Sequence, residues 1–262
     1  MSTPVAGGQV RLAVEDHVAR VELDRPPVNA LNRPFVAELR EAAVALGGRP
    51  DVWVVVVTSR QRAFSAGADL KERAAMPEAE VLSAVEGIQG LIRAWGEVPQ
   101  PVLMGLEGAA LGGGLELALT ADLLAAAEGV KLGLPEVGLG IIPAAGGMQR
   151  LALRASLGVA RKWVLSAQPF TAREALADGV VDAVFPARTF RDDFEQLVRT
   201  VAGNAPLSLR QAKSVFARLT APALQEGAAV ERRAYEPLVA TADRQEALRA
   251  FAEKRPPRWG GK

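Results

Sequence analysis

Three short runs constrain this chain more than anything else in it. Trp53 to Val57, Val102 to Leu106 and Leu123 to Ala127 contain no polar side chain. A strand with no polar member has no face to show to water, so such runs belong to a sheet covered on both sides, which means a parallel sheet. Parallel neighbours need crossover connections. Helical stretches are present in the right places: Pro34, at an N1-like position, to the Gly47-Gly48 stop, Glu78 to Trp95, and Leu115 to about Thr120. Alternating strand and helix predicts a layered α/β fold with right-handed crossovers.

The ends of the chain read differently. Val10, Leu12 and Val14, then Val21 and Leu23, alternate on either side of Glu15-Asp16-His17, a pattern that predicts a β-hairpin with His17 at its turn and in solvent. Val180 to Phe185 is the last strand-like run. Beyond it Phe190 to Ala202, Leu207 to Leu219, Pro222 to Ala240 and Asp243 to Glu253 read as helices, broken at Asn204, Pro206 and Thr241. The predicted organisation is a core over residues 1–200 carrying the active site and a helical region over 201–262. A chain of 262 residues, 49% hydrophobic and 23% charged, can bury a full core, and no repeat of 20 to 50 residues interrupts it.

Composition removes whole classes of chemistry. Without cysteine there is no disulfide framework, thiolate metal site or cysteine nucleophile, and with His17 as the one histidine a zinc site or a serine triad lacks its parts. No metal is expected, and acid-base work falls to Asp, Glu or Lys. Thirty-one Lys and Arg against 30 Asp and Glu give no field to attract a phosphate backbone, so nucleic acid is not an expected partner. Met1 to Gly8 lacks the basic and apolar pattern of a signal peptide, and Glu107, Glu116 and Asp122 interrupt the most apolar stretch, Val102 to Ala127. A soluble, cytoplasmic protein without membrane contact is expected. The chain has neither a G-x-G-x-x-G fingerprint nor a G-x-x-x-x-G-K-[ST] loop, which argues against a dinucleotide enzyme.

Three loops can carry chemistry. Gly112-Gly113-Gly114 leads into a helix whose first N-H groups have no helical acceptor, so a backbone N-H there can meet an oxygen gaining negative charge. Glu116 follows among Leu115, Leu117, Ala118 and Leu119. It sits at a rim or is buried, and burial would raise its pKa into a useful range. Phe64-Ser65-Ala66-Gly67-Ala68-Asp69-Leu70 follows a buried strand, where open α/β sheets bind ligands, with Asp69 placed to cap a helix. Leu134 to Gly147, rich in Gly and Pro, carries a single carboxylate, Glu136.

Together and in this order the three segments resemble the enoyl-CoA hydratase/isomerase, or crotonase, superfamily. The resemblance extends from Leu23-Asp24-Arg25-Pro26-Pro27-Val28-Asn29-Ala30-Leu31, through Gly-Gly-Gly-x-Glu-Leu-Ala, Pro-Glu-x-x-x-Gly and Gly-Gly-Met-Gln-Arg-Leu, to Phe251-Ala252-Glu253-Lys254-Arg255-Pro256-Pro257. It implies a crotonase-like spiral of repeated ββα units with a helical C-terminal trimerisation region, giving a homotrimer or a dimer of trimers. It also implies an oxyanion hole made by the N-H groups of Ala68 and Gly113, and contact with an acyl-CoA thioester at Pro27, Val28, Ala66, Asp69 and Leu70. Both carboxylate positions are filled: the resemblance gives Glu116 the task of activating water and Glu136 that of protonating Cα. The implied activity is hydration of a trans-2-enoyl-CoA to a 3-hydroxyacyl-CoA, with no cofactor, coenzyme A being part of the substrate.

Alternatives are an enoyl-CoA isomerase, a hydratase for a branched or acidic acyl group such as 3-methylglutaconyl-CoA, or a non-catalytic acyl-CoA or RNA binder of this fold. Two departures from the family pattern stand out. Pro143-Ala144-Ala145-Gly146-Gly147 replaces Pro-Gly-Ala-Gly-Gly, where the first Gly offers its N-H to the catalytic water. Pro26-Pro27 stands where relatives often have a Lys, which leaves Arg25, Lys71 and Lys254 as candidate partners of the coenzyme A phosphates.

Overall fold

The computed structural model describes residues 8–262. Met1 to Ala6 and Gly7, read above for a leader, lie outside the described residues. In chain order the elements are β1 (Val10–Glu15), β2 (Val18–Leu23), α1 (Arg33–Gly47), β3 (Val54–Ser59), β4 (Ala63–Ser65), α2 (Leu70–Ala75), α3 (Glu78–Gly96), β5 (Val102–Leu106) and β6 (Ala109–Leu111). They continue with α4 (Gly113–Ala118), β7 (Leu123–Ala127), β8 (Lys131–Gly133), a 3-10 turn (Glu136–Leu139), α5 (Gly147–Arg154), α6 (Leu157–Ser166), β9 (Phe170–Thr171) and α7 (Ala172–Ala177). The chain ends with β10 (Ala183–Phe185), α8 (Phe190–Ala202), α9 (Pro206–Tyr235), a short 3-10 turn and α10 (Ala242–Ala252).

Two sheets result, in the order β1-β2-β3-β5-β7-β10 and β4-β6-β8-β9. Each repeat, β3-β4, β5-β6 and β7-β8, gives its apolar strand to the large sheet and its short strand to the small one before passing into helix. This is the ββα spiral. The apolar runs form β3, β5 and β7, which pair in parallel with Val55 beside Val102 and Leu103 beside Leu123. All four valines of β3 and every residue of β5 are buried, as runs without polar side chains require. Helices cover the sheet: the Trp95 indole on α3 is fully buried and donates to Leu39 O on α1 at 3.1 Å, so its one polar atom is satisfied. Among the described residues no helix is long and apolar enough to cross a membrane.

The hairpin forms as its alternation predicts, with Asp16 and His17 at positive φ in the turn. His17 is exposed and stacks on Trp53, ring centroids 3.8 Å apart.

Two expectations are corrected. Phe64 to Leu70 is not loop throughout, because Phe64 and Ser65 belong to β4, which pairs with β6. Leu207 to Leu219 and Pro222 to Ala240 are not separate helices, for α9 runs unbroken through Pro222 to Tyr235. An interior proline removes one hydrogen bond and costs about 3 kcal/mol. Contacts on both sides hold the axis against it: upstream Arg210 donates to Val52 O at 2.9 Å and Lys213 to Gln100 O at 2.9 Å, and downstream Glu231 accepts from Gly146 N at 2.8 Å.

Candidate active site

Asn29 fixes the first loop. Buried at positive φ, its amide donates to Ser59 Oγ at 2.8 Å and Phe64 O at 3.0 Å, while its Oδ1 accepts from Arg25 N at 2.7 Å. One turn of chain further on, Leu31 pairs alongside Ala68: Leu31 N donates to Gly67 O and Asp69 N to Leu31 O. Those bonds use the groups flanking Ala68. Among the described residues the N-H of Ala68 meets no acceptor.

Gly67, at φ +83°, brings this loop against the start of α4: a Cβ there would lie 2.7 Å from Leu111 O and 3.2 Å from Gly113 N. Only glycine allows both the angle and the approach. Gly113 opens α4, so its N-H lacks a helical partner and likewise finds no acceptor among the described residues. Two free N-H groups on adjoining loops face one cleft of about 850 Å³, including its open mouth.

Two carboxyls stand beside them. Glu116, three residues past Gly113 and so on the same face of α4, is buried, and its Oε1 accepts from both Ala145 N and Gly147 N at 2.9 Å. Burial raises its pKa, opposed by those two N-H bonds and by the Arg150 charge. Glu136, also buried, stands in the 3-10 turn with Oε1 against Gly112, where a Cβ would come within 2.9 Å. Its Oε2 has no hydrogen-bond partner among the described residues. Burial first, and then the Glu116 charge, hold Glu136 well above the usual carboxylate range. The two are therefore driven apart: Glu116 has the bonds that favour an anion, and Glu136 has surroundings that keep its proton.

The Ala144-Ala145 replacement is accommodated without strain. Neither residue is among the non-glycines at positive φ, and Ala144 O accepts from Gln89 Nε2 at 2.6 Å.

Of the sequence candidates, Ala66, Ala68, Leu70, Gly113, Glu116 and Glu136 line the cleft. Pro27, Val28 and Asp69 do not line it, and Asp69 has other partners: it caps α2 through Lys71 N and Glu72 N and holds Arg25 at 2.8 Å. Arg25 is thus held in an ion pair with Asp69. His17 is absent from the cleft lining, and His17→Ala is expected to leave turnover within about 2-fold of the parent, since the variant loses only an exposed stack on Trp53 and an exposed hydrogen bond to Asp51 O. Steady-state kinetics of the variant beside the parent check it, and a loss of ~10-fold or more in kcat would bring histidine into the chemistry.

Sequence reasoning missed a second group of residues. Arg73 from α2, Tyr235 from the end of α9 and Arg244 from α10 line the far wall of the same cleft. Burial lowers the Arg73 pKa and raises that of Tyr235. Among the described residues neither arginine has a carboxylate at ion-pair distance: Arg73 donates to Val81 O at 3.2 Å and Arg244 to Val239 O at 2.9 Å. Tyr235 is the only tyrosine in the chain, which was the one available signal. Glu231 on α9, buried behind Gly146, was also missed.

A family model described as "Enoyl-CoA hydratase/isomerase" matches residues 13–262. The chain belongs to the enoyl-CoA hydratase/isomerase family. YngF of Bacillus subtilis, named among enoyl-CoA hydratases/isomerases, is 40% identical over 242 residues, covering 92% of this chain and 93% of that protein. The 2,3-dehydroadipyl-CoA hydratase of Escherichia coli is 36% identical over 252 residues, covering 95% and 97%. An enoyl-CoA hydratase structure from Mycobacterium avium subsp. paratuberculosis superposes with TM-score 0.88 at 26% identity, over 97% of this chain and 99% of that one. The fold is that of crotonase-superfamily enzymes, and the sheets and spiral described above are those of the enoyl-CoA hydratase/isomerase family.

Proposed function

We propose that this enzyme hydrates the double bond of a 2-enoyl-CoA. The observation that carries the reading is the asymmetry of its two carboxyls: Glu116 Oε1 is held by two N-H bonds, while Glu136 Oε2, in the same cleft, has no partner among the described residues. The thioester oxygen fits the N-H groups of Ala68 and Gly113, where it can gain negative charge. Water bonded to ionised Glu116 gives up a proton to it as the water oxygen joins Cβ. The π electrons move onto the thioester oxygen, and protonated Glu136 delivers its proton to Cα as they return. The product is the 3-hydroxyacyl-CoA, and one proton passed from Glu116 to Glu136 restores the starting state. Self-association through the outer face of α9, where Leu207, Phe216 and Leu219 are exposed, belongs to the same reading.

Turnover of a panel of enoyl-CoA thioesters, followed by loss of the ultraviolet absorbance of the conjugated enoyl group, tests it. Conversion of 3-enoyl into 2-enoyl thioesters with no hydration would instead make the enzyme an isomerase.

Within the panel, the far wall favours an acyl chain ending in a carboxylate. Apart from Glu116 and Glu136 the cleft is lined mostly by apolar residues, and two guanidiniums and a tyrosine hydroxyl, with no carboxylate at ion-pair distance among the described residues, supply what a buried anion needs. The Escherichia coli relative is named for such an acyl group. Arg73→Gln is expected to lower kcat/KM for a carboxylate-ended enoyl-CoA about 10- to 100-fold, the worth of a hydrogen bond to a charged group, with little effect on crotonyl-CoA. Equal losses on both substrates would place Arg73 outside acyl recognition.

A further inference from the structure

The segment from Ala144 to Gly147 forms the wall behind Glu116, and its polar groups are divided between partners on opposite sides. The N-H groups of Ala145 and Gly147 turn towards Glu116, each at 2.9 Å from Oε1. The N-H between them, that of Gly146, turns the other way, to Glu231 Oε2 at 2.8 Å. The carbonyls of Ala145 and Gly146 accept from Arg150 at 3.3 and 3.4 Å, and that of Ala144 from Gln89. Gly146 stands at φ +89°, the left-handed geometry that such alternation of N-H directions requires. Glu231 reaches this wall from α9, 85 residues away in the chain, and is 1% exposed.

We propose that Glu231 is a positioning residue for the catalytic glutamate Glu116: by holding the Gly146 N-H it fixes the peptide turn that aims the two flanking N-H groups at Glu116 Oε1. This rests on the hydratase reading above. The oxygen so held leaves Glu116 Oε2 on the side of Gly113, so the orientation of the base depends on a residue that touches no substrate.

The charge state of Glu231 suits the task. Burial, and then the nearby Glu116 charge, push its pKa up to about 8, against the Gly146 bond, Gln149 and the Arg150 charge. Near neutral pH it accepts the Gly146 bond as an uncharged acid and adds no second anion behind Glu116. Among the described residues its Oε1 and the Oε1 of neighbouring Gln149 are both buried without partners. The groups facing it are Glu116 from α4, Gln149 and Arg150 from α5, and Glu136, on which its charge also acts.

The test compares Glu231→Gln, which keeps an acceptor of the same length, with Glu231→Met, which keeps the volume and removes the acceptor, and Glu231→Asp, which withdraws the carboxyl by one methylene. In the Met and Asp variants kcat at neutral pH is expected to fall about 10-fold or more with KM little changed. The acid limb of the pH-rate profile, set by Glu116, is expected to move up by about one pH unit as Glu116 loses its oriented N-H donors. Glu231→Gln is expected to restore both. Should the Met variant not fold, the Asp variant alone decides. An unmoved acid limb in the folded variants, or a Gln variant as impaired as the others, overturns the proposal. Difference infrared titration of the Glu116 carboxyl in the parent and each Glu231 variant, with Glu116→Gln identifying its band, reads the same shift without turnover. If the parent hydrates no enoyl-CoA, the hydratase reading falls while this titration still decides the role of Glu231.

Discussion

Glu116→Gln and Glu136→Gln are each expected to lower hydration of an enoyl-CoA by at least about 10²-fold with the fold intact, because the amide keeps the shape and removes only the ionisable group. The structure separates the two losses. Glutamine at 116 can still accept from Ala145 N and Gly147 N through its carbonyl, so the wall behind it stays in place, and what disappears is the base. Glutamine at 136 enters surroundings that already favour a neutral group, so stability should be at least that of the parent. The double variant should lose far less than the product of the single losses, since both groups act on one water. Steady-state kinetics on variants whose melting is confirmed supply the measurement. Near-parent turnover in either one would remove that residue from the mechanism.

Gly113→Val is expected to abolish turnover with both glutamates untouched. A Cβ at Gly113 would lie 3.2 Å from Leu31 Cδ1 and 3.9 Å from both Ala68 N and Glu116 Oε2, so it points into the space between the two N-H groups and the base. The branches of valine extend further and occupy the place of the thioester oxygen. Losing one such donor costs about 2.7 to 4 kcal/mol, roughly 10² to 10³ in rate, and valine here obstructs both. Kinetics beside circular dichroism distinguishes a blocked site from an unfolded chain. A folded Gly113→Val enzyme with the parent's rate would put the oxyanion hole elsewhere.

Local pattern made the large sheet legible because burial on two faces leaves a mark in every residue of a strand: Val54 to Val57 had nowhere to go but the interior. The short strands of the second sheet left less trace. Ala63–Ser65 and Ala109–Leu111 are each three residues long, too brief for alternation to register, and Phe64 and Ser65 therefore read as loop. Pro222 misled in the opposite direction, because a proline's local penalty is visible in sequence while the anchoring of Lys213 and Glu231 that outweighs it is not.

The sequence by itself determined the apolar layering, the glycines that let two loops touch, and two carboxylates set among apolar neighbours, since each of these is a matter of residue type against nearest neighbours. Only the tertiary structure decided which charges are free. Arg25 is held in an ion pair with Asp69, and Arg73 and Arg244, unremarkable in the chain, line the cleft without a carboxylate partner among the described residues. Tertiary structure likewise decided which carboxyl keeps its proton. Desolvation and the spacing of Glu116, Glu136 and Glu231 depend on α9 folding back over α5, a contact between segments far apart in the chain. The reason is physical: a pKa or an ion pair is set by whatever lies within a few ångströms in space, and spacing along the chain carries that information only inside one helix or strand.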